Sequence, residues 1–233
     1  MTLARFQFLT FLLLSSFLHA GTILIDFGDS GDTTSTSAPN YYNNVTNNLG
    51  VGTLVGNLRD TADEVTGISL SATNWFAGVN TSGTTHSSAP YLSSATGDTL
   101  YDANGTWSQR PGDAKVVLVF GGLDALKTYD FTMYASRTGT TENRSTLYSF
   151  TGATSDAISL NPASNITQSS TISGMSPNGS GTITLTITPD AANANQYDFI
   201  YLGAMEINVI PEPTTITLVL GALGLMMLFR RRR

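Results

Sequence analysis

The chain has 233 residues, of which 12% are charged, and a formal net charge of −6 at pH 7. Between residues 21 and 213 there are six Lys and Arg residues against all seventeen acids, so this part carries a net charge of −11. Because nucleic-acid affinity rests on clustered basic side chains, we expect no nucleic-acid partner. The sequence contains no cysteine, which excludes thiol nucleophiles, iron–sulfur clusters and cysteine zinc sites.

The first twenty residues have the pattern of a secretory signal peptide. Arg5 supplies a positive charge, an apolar stretch covers residues 6–18, and Ala20 is a small residue at the cleavage point. We therefore predict export, removal of residues 1–20 by signal peptidase, and a folded domain at residues 21–209. An uncleaved anchor is the alternative, and the shortness of the apolar stretch weakens it.

The first half of the predicted domain has weak strand patterns. Turn-forming residues recur about every eight to twelve positions, and no helical period lasts beyond about two turns, which is typical of an all-β chain. Residues 22–27 alternate as a strand, and less regular strands are expected at 52–58 and 67–76. The polar segments 28–48 and 77–110 are expected to be loops.

The second half has clearer strands. Residues 115–120 are almost entirely apolar, as in a central strand covered on both faces. Further strands are expected at 129–134, 146–150, 157–160, 166–172, 182–188 and 199–209, the last with a bulge at Gly203. Their inward side chains are predicted to form the core: Val116, Leu118, Phe120, Phe131, Ile183, Leu185 and Ile187.

The connection at residues 122–129 is similar to the tyrosine corner of Greek-key sandwiches. In such a corner a leucine, here Leu123, enters the core, and a tyrosine six residues later, here Tyr129, hydrogen-bonds back across the turn. The opening ILIDFG, the dipeptides at 136–137 and 143–144, and the closing YLGAMEI resemble the galactose-binding-like jelly rolls. These features predict an antiparallel two-sheet sandwich.

The last segment, residues 210–233, has three parts in a fixed order. They are the motif Pro211, Glu212, Pro213; an apolar run at 216–229; and the arginines Arg230, Arg231, Arg232 and Arg233. The arrangement resembles the PEP-CTERM sorting signal of exported proteins in bacteria that make exopolysaccharide. The resemblance implies handling by an exosortase-type membrane enzyme and delivery to the cell envelope or the extracellular space.

The dimensions of this tail favour transient insertion in the inner membrane. As a helix, residues 216–229 would span roughly 21 Å, against about 30 Å of hydrocarbon. The terminal arginines would hold the C-terminus in the cytoplasm, and the prolines keep the preceding segment extended and accessible to a processing enzyme. A C-terminal anchor that is never cut is the alternative.

Two catalytic interpretations of the chain were weighed. Residues 27–30 resemble the first block of the GDSL hydrolases, which would make Ser30 a nucleophile. That family places its histidine near the C-terminus, whereas no histidine follows His86 here. Glycoside hydrolysis would need two acids on opposite sides of a cleft, and nothing in the sequence places any two of its acids in that way. A surface polysaccharide hydrolase or esterase therefore stays as the alternative to a non-catalytic protein.

The sequence also contains candidate ligands for a metal ion. Asp26, Asp29 and Asp32 recur at three-residue spacing, and with Glu206 they could supply oxygen ligands to a structural calcium ion, which jelly rolls of the resembled family often carry. Acids in such turns are commonly only capping residues.

Four aromatic residues and one arginine are candidates for contact with a sugar. Trp107, Tyr91 and Trp75 could stack on a sugar ring, and Arg110 could bind its hydroxyl groups; Tyr101 was also considered. For Trp75 a core position is the favoured alternative. Together with the tail, these residues predict an exported, non-catalytic envelope or matrix protein that binds polysaccharide, with a purely structural module as a further alternative.

Overall fold

A computed structural model describes residues 21–108 and 112–211 of the chain. The described residues form fourteen strands, a short helix α1 (Ser93–Thr96) and a 3-10 turn (Gly105–Trp107). The strands of the first half are β1 (Thr22–Gly28), β2 (Tyr42–Thr46), β3 (Leu54–Val55), β4 (Ser69–Asn74), β5 (Gly78–Asn80) and β6 (Thr99–Asp102). Those of the second half are β7 (Val116–Gly121), β8 (Lys127–Tyr134), β9 (Thr146–Thr151), β10 (Ser155–Leu160), β11 (Ser170–Met175), β12 (Ile183–Pro189), β13 (Ile200–Leu202) and β14 (Ala204–Pro211).

Two large sheets face each other across one hydrophobic core. One sheet has the strand order β11-β8-β14-β1-β2, and the other has the order β10-β9-β12-β7-β4-β3. Phe131 of the first sheet contacts Phe120 and Phe150 of the second, with ring centroids 5.3 and 4.6 Å apart. The predicted all-β two-sheet sandwich is confirmed.

Alternation along the strands places the core as the sequence predicts. In β12, Ile183, Leu185 and Ile187 are fully buried, while the threonines between them are only partly covered. The other four predicted core residues, on β7 and β8, are also fully buried. Burial of each such side chain contributes about 1.5–3 kcal/mol to folding, which makes these strands the centre of stability.

The tyrosine corner is present. The backbone N–H of Asp124 donates a hydrogen bond of 2.8 Å to the Tyr129 hydroxyl, and Leu123 is buried in the core. Burial raises the pKa of the Tyr129 hydroxyl, so it stays protonated over the physiological range. The corner fixes the turn that carries the chain from β7 to β8, that is, from one sheet to the other.

A polar strand in the region expected to be a loop departs from the prediction. β2 pairs in parallel with β1, with Leu24 opposite Tyr42, so the sandwich is not purely antiparallel. Its Asn43 side chain holds β2 to neighbouring segments, because its amide donates to the carbonyls of Leu24 and Arg59 at 2.9 and 2.8 Å. Since these bonds come from a side chain, hydrophobic periodicity could not reveal this strand.

Three further strand predictions need correction. The predicted strand at 52–58 is reduced to the two-residue β3, and β7 is not covered equally on both faces, since Val117 and Val119 are only half-buried. The strand predicted at 166–172 begins at Ser170 instead. The Asn165 side chain binds the backbone N–H and carbonyl of Gln168, and this local turn delays the strand.

The predicted loop at 77–110 contains β5 and β6, which form a third, small sheet with β13 in the order β13-β6-β5. The segment between β5 and β6, which carries α1, covers the outer face of the first large sheet. There Tyr91 and Ala95 pack with Leu24, Tyr42 and Tyr134 in a second apolar cluster. The small sheet and its loops occupy one region of the molecule and position the candidate site.

The targeting segments lie mostly outside the described residues. This applies to the predicted signal peptide at 1–20 and to the tail from Glu212 to Arg233. Pro211, the first residue of the sorting motif, ends β14 opposite Lys127 and is therefore extended, two residues beyond the predicted domain boundary. No helix among residues 21–108 and 112–211 is long and apolar enough to cross a membrane.

Candidate glycan-binding surface

Five aromatic side chains form a continuous cluster on the small sheet, which we call the aromatic surface: Tyr101, Trp107, Tyr197, Phe199 and Tyr201. Phe199 is its centre, with ring centroids 5.4 Å from Tyr101, 6.0 Å from Trp107 and 5.9 Å from Tyr201, the last in stacked geometry. Tyr197 meets Trp107 edge-on at 6.4 Å. Trp107 is 52% exposed, so an apolar ring face remains open to solvent.

Two strands and two loops bring these rings together. Tyr101 of β6 and Tyr201 of β13 are direct partners in the small sheet, so their side chains share one face. Phe199 and Tyr197 lie two and four residues before Tyr201 along the chain and continue the same side, which places them beside the 3-10 turn of Trp107. The turn is attached there by a backbone hydrogen bond of 2.8 Å from Asn104 to the Tyr197 carbonyl.

Arg144 covers the inner side of the aromatic surface. Its guanidinium lies 5.0 Å from the centroid of Phe199 and 6.0 Å from that of Tyr201. Its Nε and Nη2 donate to Oε1 of Glu142, and Nη1 donates to the Tyr201 hydroxyl. Hydrogen bonds from Arg144 hold the pKa of Glu142 below its ordinary value, so Glu142 is ionised at neutral pH.

Asparagine side chains fix the loops that carry these groups. Asn193 donates from its amide to the carbonyls of Ser145 and Phe199 at 3.1 and 3.0 Å. Asn195 donates to Glu142 at 2.6 Å, and Asn104 donates to Asp198 at 2.7 Å. The surface is therefore held in place before any ligand arrives, which lowers the entropic cost of binding.

The predicted sugar-contact residues do not all lie on this surface. Trp107 and Tyr101 do, whereas Arg110 falls outside the described residues. Tyr91 packs edge-on against Tyr134 on the outer face of the first large sheet. Trp75 is only 8% exposed and belongs to the core, as the favoured alternative had it.

A cavity of about 310 Å³ adjoins the aromatic surface. Leu49, Val51, Trp75 and Gly78 are among its lining residues. Gly78 also lies beneath Tyr101, where a Cβ atom would stand 3.0 Å from the tyrosine hydroxyl. The absence of a side chain at Gly78 therefore lets the Tyr101 ring lean over β5, between the cavity and the other rings.

Sequence reasoning missed the residues that complete the surface. A spacing of two residues, typical of side chains on one face of a strand, relates Tyr197, Phe199 and Tyr201, and it could have been recognised in the sequence. The part played by Arg144 and Glu142 was not visible, because a gap of more than fifty residues separates them from Phe199. These segments come together only in the folded chain, where β9 pairs with β12 and β12 in turn contacts β13.

A pair of buried acids lies elsewhere, at the end of β1. Asp26 and Asp98 are both almost fully buried, and each has one carboxyl oxygen that accepts no hydrogen bond from the described residues. Burial raises the pKa of Asp26 to about 7, although a hydrogen bond of 2.7 Å from Thr34 opposes this, and the charge of Asp98 adds to it. Burial likewise raises the pKa of Asp98 to about 6.

The other predicted calcium ligands have separate environments. Asp29 accepts the backbone N–H of Gly31 in a local turn, and Glu206 accepts hydrogen bonds from Asn208 at 2.7 Å and from Tyr91 at 3.5 Å. Asp32 acts on both buried acids only through its charge. Within residues 21–108 and 112–211, no three acidic or histidine side chains are arranged to hold a metal ion. Calcium binding stays a prediction of the resemblance.

Ser30 and His86, the residues considered for esterase chemistry, are each in a turn of their own. The Ser30 N–H donates to the Asn47 side chain at 3.2 Å, and the His86 ring accepts the Ser88 N–H at 3.1 Å. No hydrogen bond joins Ser30 to His86 in the described part of the chain.

No protein-family model and no curated protein sequence matches the chain. Among solved structures, the ANX2 ectodomain from Arabidopsis thaliana aligns with 51% of this chain and 34% of its own, at 13% identity and a TM-score of 0.34. The ANXUR1 extracellular domain from the same plant aligns with 59% of this chain and 39% of its own, at 10% identity and a TM-score of 0.38. TmCBM61 in complex with beta-1,4-galactotriose aligns with 61% of this chain and 83% of its own, at 9% identity and a TM-score of 0.30. The chain thus spans between 34% and 39% of the two plant ectodomains.

Proposed function

We propose that this protein is an exported, non-catalytic module that associates with polysaccharide through the aromatic surface. The half-exposed ring of Trp107, supported from behind by Phe199 and Tyr197, is the observation that carries the proposal. A flat aromatic face matches the C–H face of a sugar ring, and its neighbours keep it from collapsing into the core. Burial of that face on binding would contribute favourably, at about 25 cal/mol per Å² of apolar area.

Polar groups at the edge of the surface give a bound sugar its orientation. Glu142 is 40% exposed in its side chain, and its Oε2 accepts no hydrogen bond from the described residues, so it is available to a sugar hydroxyl. A single site of this kind is weak, so firm attachment would come from many copies in a matrix.

The test is retention of the purified protein on the producer's exopolysaccharide. Trp107→Ala should reduce retention at least tenfold, because the open ring face is lost. Leu126→Ala is the matched control, since Leu126 is an apolar residue that is 78% exposed and lies in the corner before β8. Failure of the unmodified protein to bind would remove the proposal, and equal retention of Trp107→Ala would move the site elsewhere.

We further propose that the C-terminal tail is a sorting signal. The PEP-CTERM resemblance supports handling by an exosortase-type enzyme after transient membrane insertion, and the N-terminal pattern supports removal of residues 1–20 by signal peptidase. Pro211 at the end of β14 supports an extended segment directly after the folded domain. The intact mass of the extracellular protein should correspond to a chain without residues 216–233. Retention of the arginine tail in that mass would contradict the proposal.

A further inference from the structure

The guanidinium groups beside the aromatic surface are already committed to protein partners. Arg144 uses Nε and Nη2 on Glu142 and Nη1 on Tyr201, while its flat face lies against Phe199. Its side chain is only 13% exposed. Recognition of a carboxylate by arginine commonly uses two parallel N–H groups, and Glu142 already occupies that edge of Arg144.

A second arginine in this region is also engaged. Arg137 donates from Nη1 to the carbonyl of Thr138 at 2.7 Å, and it also acts on the Tyr201 hydroxyl through its charge and a hydrogen bond. It is half-buried. Both arginines therefore have protein partners, and Arg144, which lies on the aromatic surface itself, has its Nε, Nη1 and Nη2 all engaged.

Among the described residues, two carboxylate oxygens near the aromatic surface are available as acceptors. Oε2 of Glu142 and Oδ1 of Asp198 accept no hydrogen bond from the described residues, whereas their partner oxygens are satisfied by Arg144, Asn195 and Asn104. An ionised oxygen accepts a sugar hydroxyl well and repels a carboxylate. The electrostatic field of the whole domain also repels a carboxylate, because residues 21–213 carry a net charge of −11.

We propose that the aromatic surface selects uncharged sugars over uronic acids, and that the Glu142–Arg144 pair sets this preference. The inference rests on the proposed function and narrows its ligand class. Glu142 acts here in two ways: it occupies the arginine that would otherwise attract a carboxylate, and it adds a negative charge at the edge of the surface. Polysaccharides that differ only in carboxylate content should therefore bind differently.

The test compares each polymer with its own oxidised form. Producer exopolysaccharide and beta-1,4-galactan are used untreated and after oxidation of primary hydroxyls to carboxylates, with retention measured at low and at high salt. The oxidised form should bind at least tenfold more weakly at low salt, and salt should narrow the difference because it screens the repulsion. Equal or stronger retention of the oxidised form would overturn this inference and leave the proposed function standing. Retention of neither form of either polymer would remove both.

A pair of variants separates the local effect from overall charge. Glu142→Gln removes one negative charge and releases Arg144, so the preference for the untreated polymer should shrink several-fold. Glu64→Gln changes the net charge equally at an exposed position in the hairpin between Arg59 and Val65, and it should leave the preference unchanged. A thermal melt of each variant checks that it folds. If the two variants shift the preference equally, overall charge and not the Glu142–Arg144 pair sets it.

Discussion

The guanidinium of Arg144 lies 5.0 Å above the ring of Phe199, and the ring rests on Tyr201 on the β13 side. The arrangement joins an ion pair at the rim to the stacked rings of the aromatic surface. Because a partly desolvated cation over an aromatic face contributes about 0.5–2 kcal/mol, the contact stabilises the loop before β13 as well as the surface itself.

Arg144→Lys should lower stability although it keeps the charge. A lysine cannot lie flat on Phe199 or donate in parallel to Glu142, so we expect a loss of about 1–2 kcal/mol in the free energy of unfolding. Arg59→Lys is the control, because Arg59 also pairs with an acid, Asp63, and lies 5.9 Å from an aromatic ring, that of Tyr41, but at an exposed position where such contacts contribute little. Urea titration of both variants gives the comparison, and an equal effect of the two would contradict the role given to Arg144.

Tyr129→Phe tests the tyrosine corner. Removal of the hydroxyl leaves the Asp124 N–H without its partner and should cost about 1–2 kcal/mol, with little change in the core because the ring remains. Tyr41→Phe is the matched control, since no hydrogen bond of the Tyr41 hydroxyl occurs among the described residues. The melting temperature should fall for the first variant only.

The parts of the fold that the sequence predicts are those governed by side-chain alternation. Ile183, Leu185 and Ile187 lie inward because a strand has a period of two residues, and nothing else in the chain competes with them. β2 was not predicted because its sequence is largely polar and Asn43 binds its neighbours through its side chain, and β11 starts late because Asn165 forms a turn. Local polar hydrogen bonds decide these two cases, and hydropathy does not report them.

The candidate site could be predicted only in part. Trp107 was identifiable as an aromatic residue in a polar segment, and its exposure agrees with that position. Its supports come from chain segments that meet only after the strands have paired, so the contact of Arg144 with Phe199 required the structure. The position of Tyr91 in a predicted loop suggested a ring available to a ligand, whereas the ring packs against Tyr134.

Leu118→Ala should be strongly destabilising. Leu118 is fully buried on β7, between Leu185 of β12 and Ala72 of β4, so truncation leaves a cavity that the flanking strands cannot fill. We expect a loss of about 2–5 kcal/mol and a melting temperature lower by many degrees. Leu126→Ala, the same change at a residue exposed on the corner, should shift the melting temperature by about a degree or less. A similarly small shift for Leu118→Ala would contradict its place in the core.

Asp26 gives the fold a pH dependence whose sign follows from its burial. Thr34 donates to it, but the charged groups that act on it are Asp98 and Asp32, and Tyr42 lies nearby, so no base compensates its charge among the described residues. Its pKa is about 7 in the folded protein, against 3.8 for an ordinary aspartate. Between these values the folded state holds a proton that the unfolded chain has released.

Stability due to Asp26 is therefore complete below about pH 4 and declines as pH rises to about 7. Asp26→Asn cannot ionise, so its stability relative to the unmodified protein should improve steadily over this interval and then level off. The readout is that difference, measured by urea unfolding at several pH values, because any constant cost of burying the amide cancels from its slope. Asp156→Asn, at an exposed position on β10, is the matched control for the loss of one carboxylate. A flat difference for Asp26→Asn would mean that the carboxyl has the same pKa in the folded and unfolded states and that burial does not control its proton.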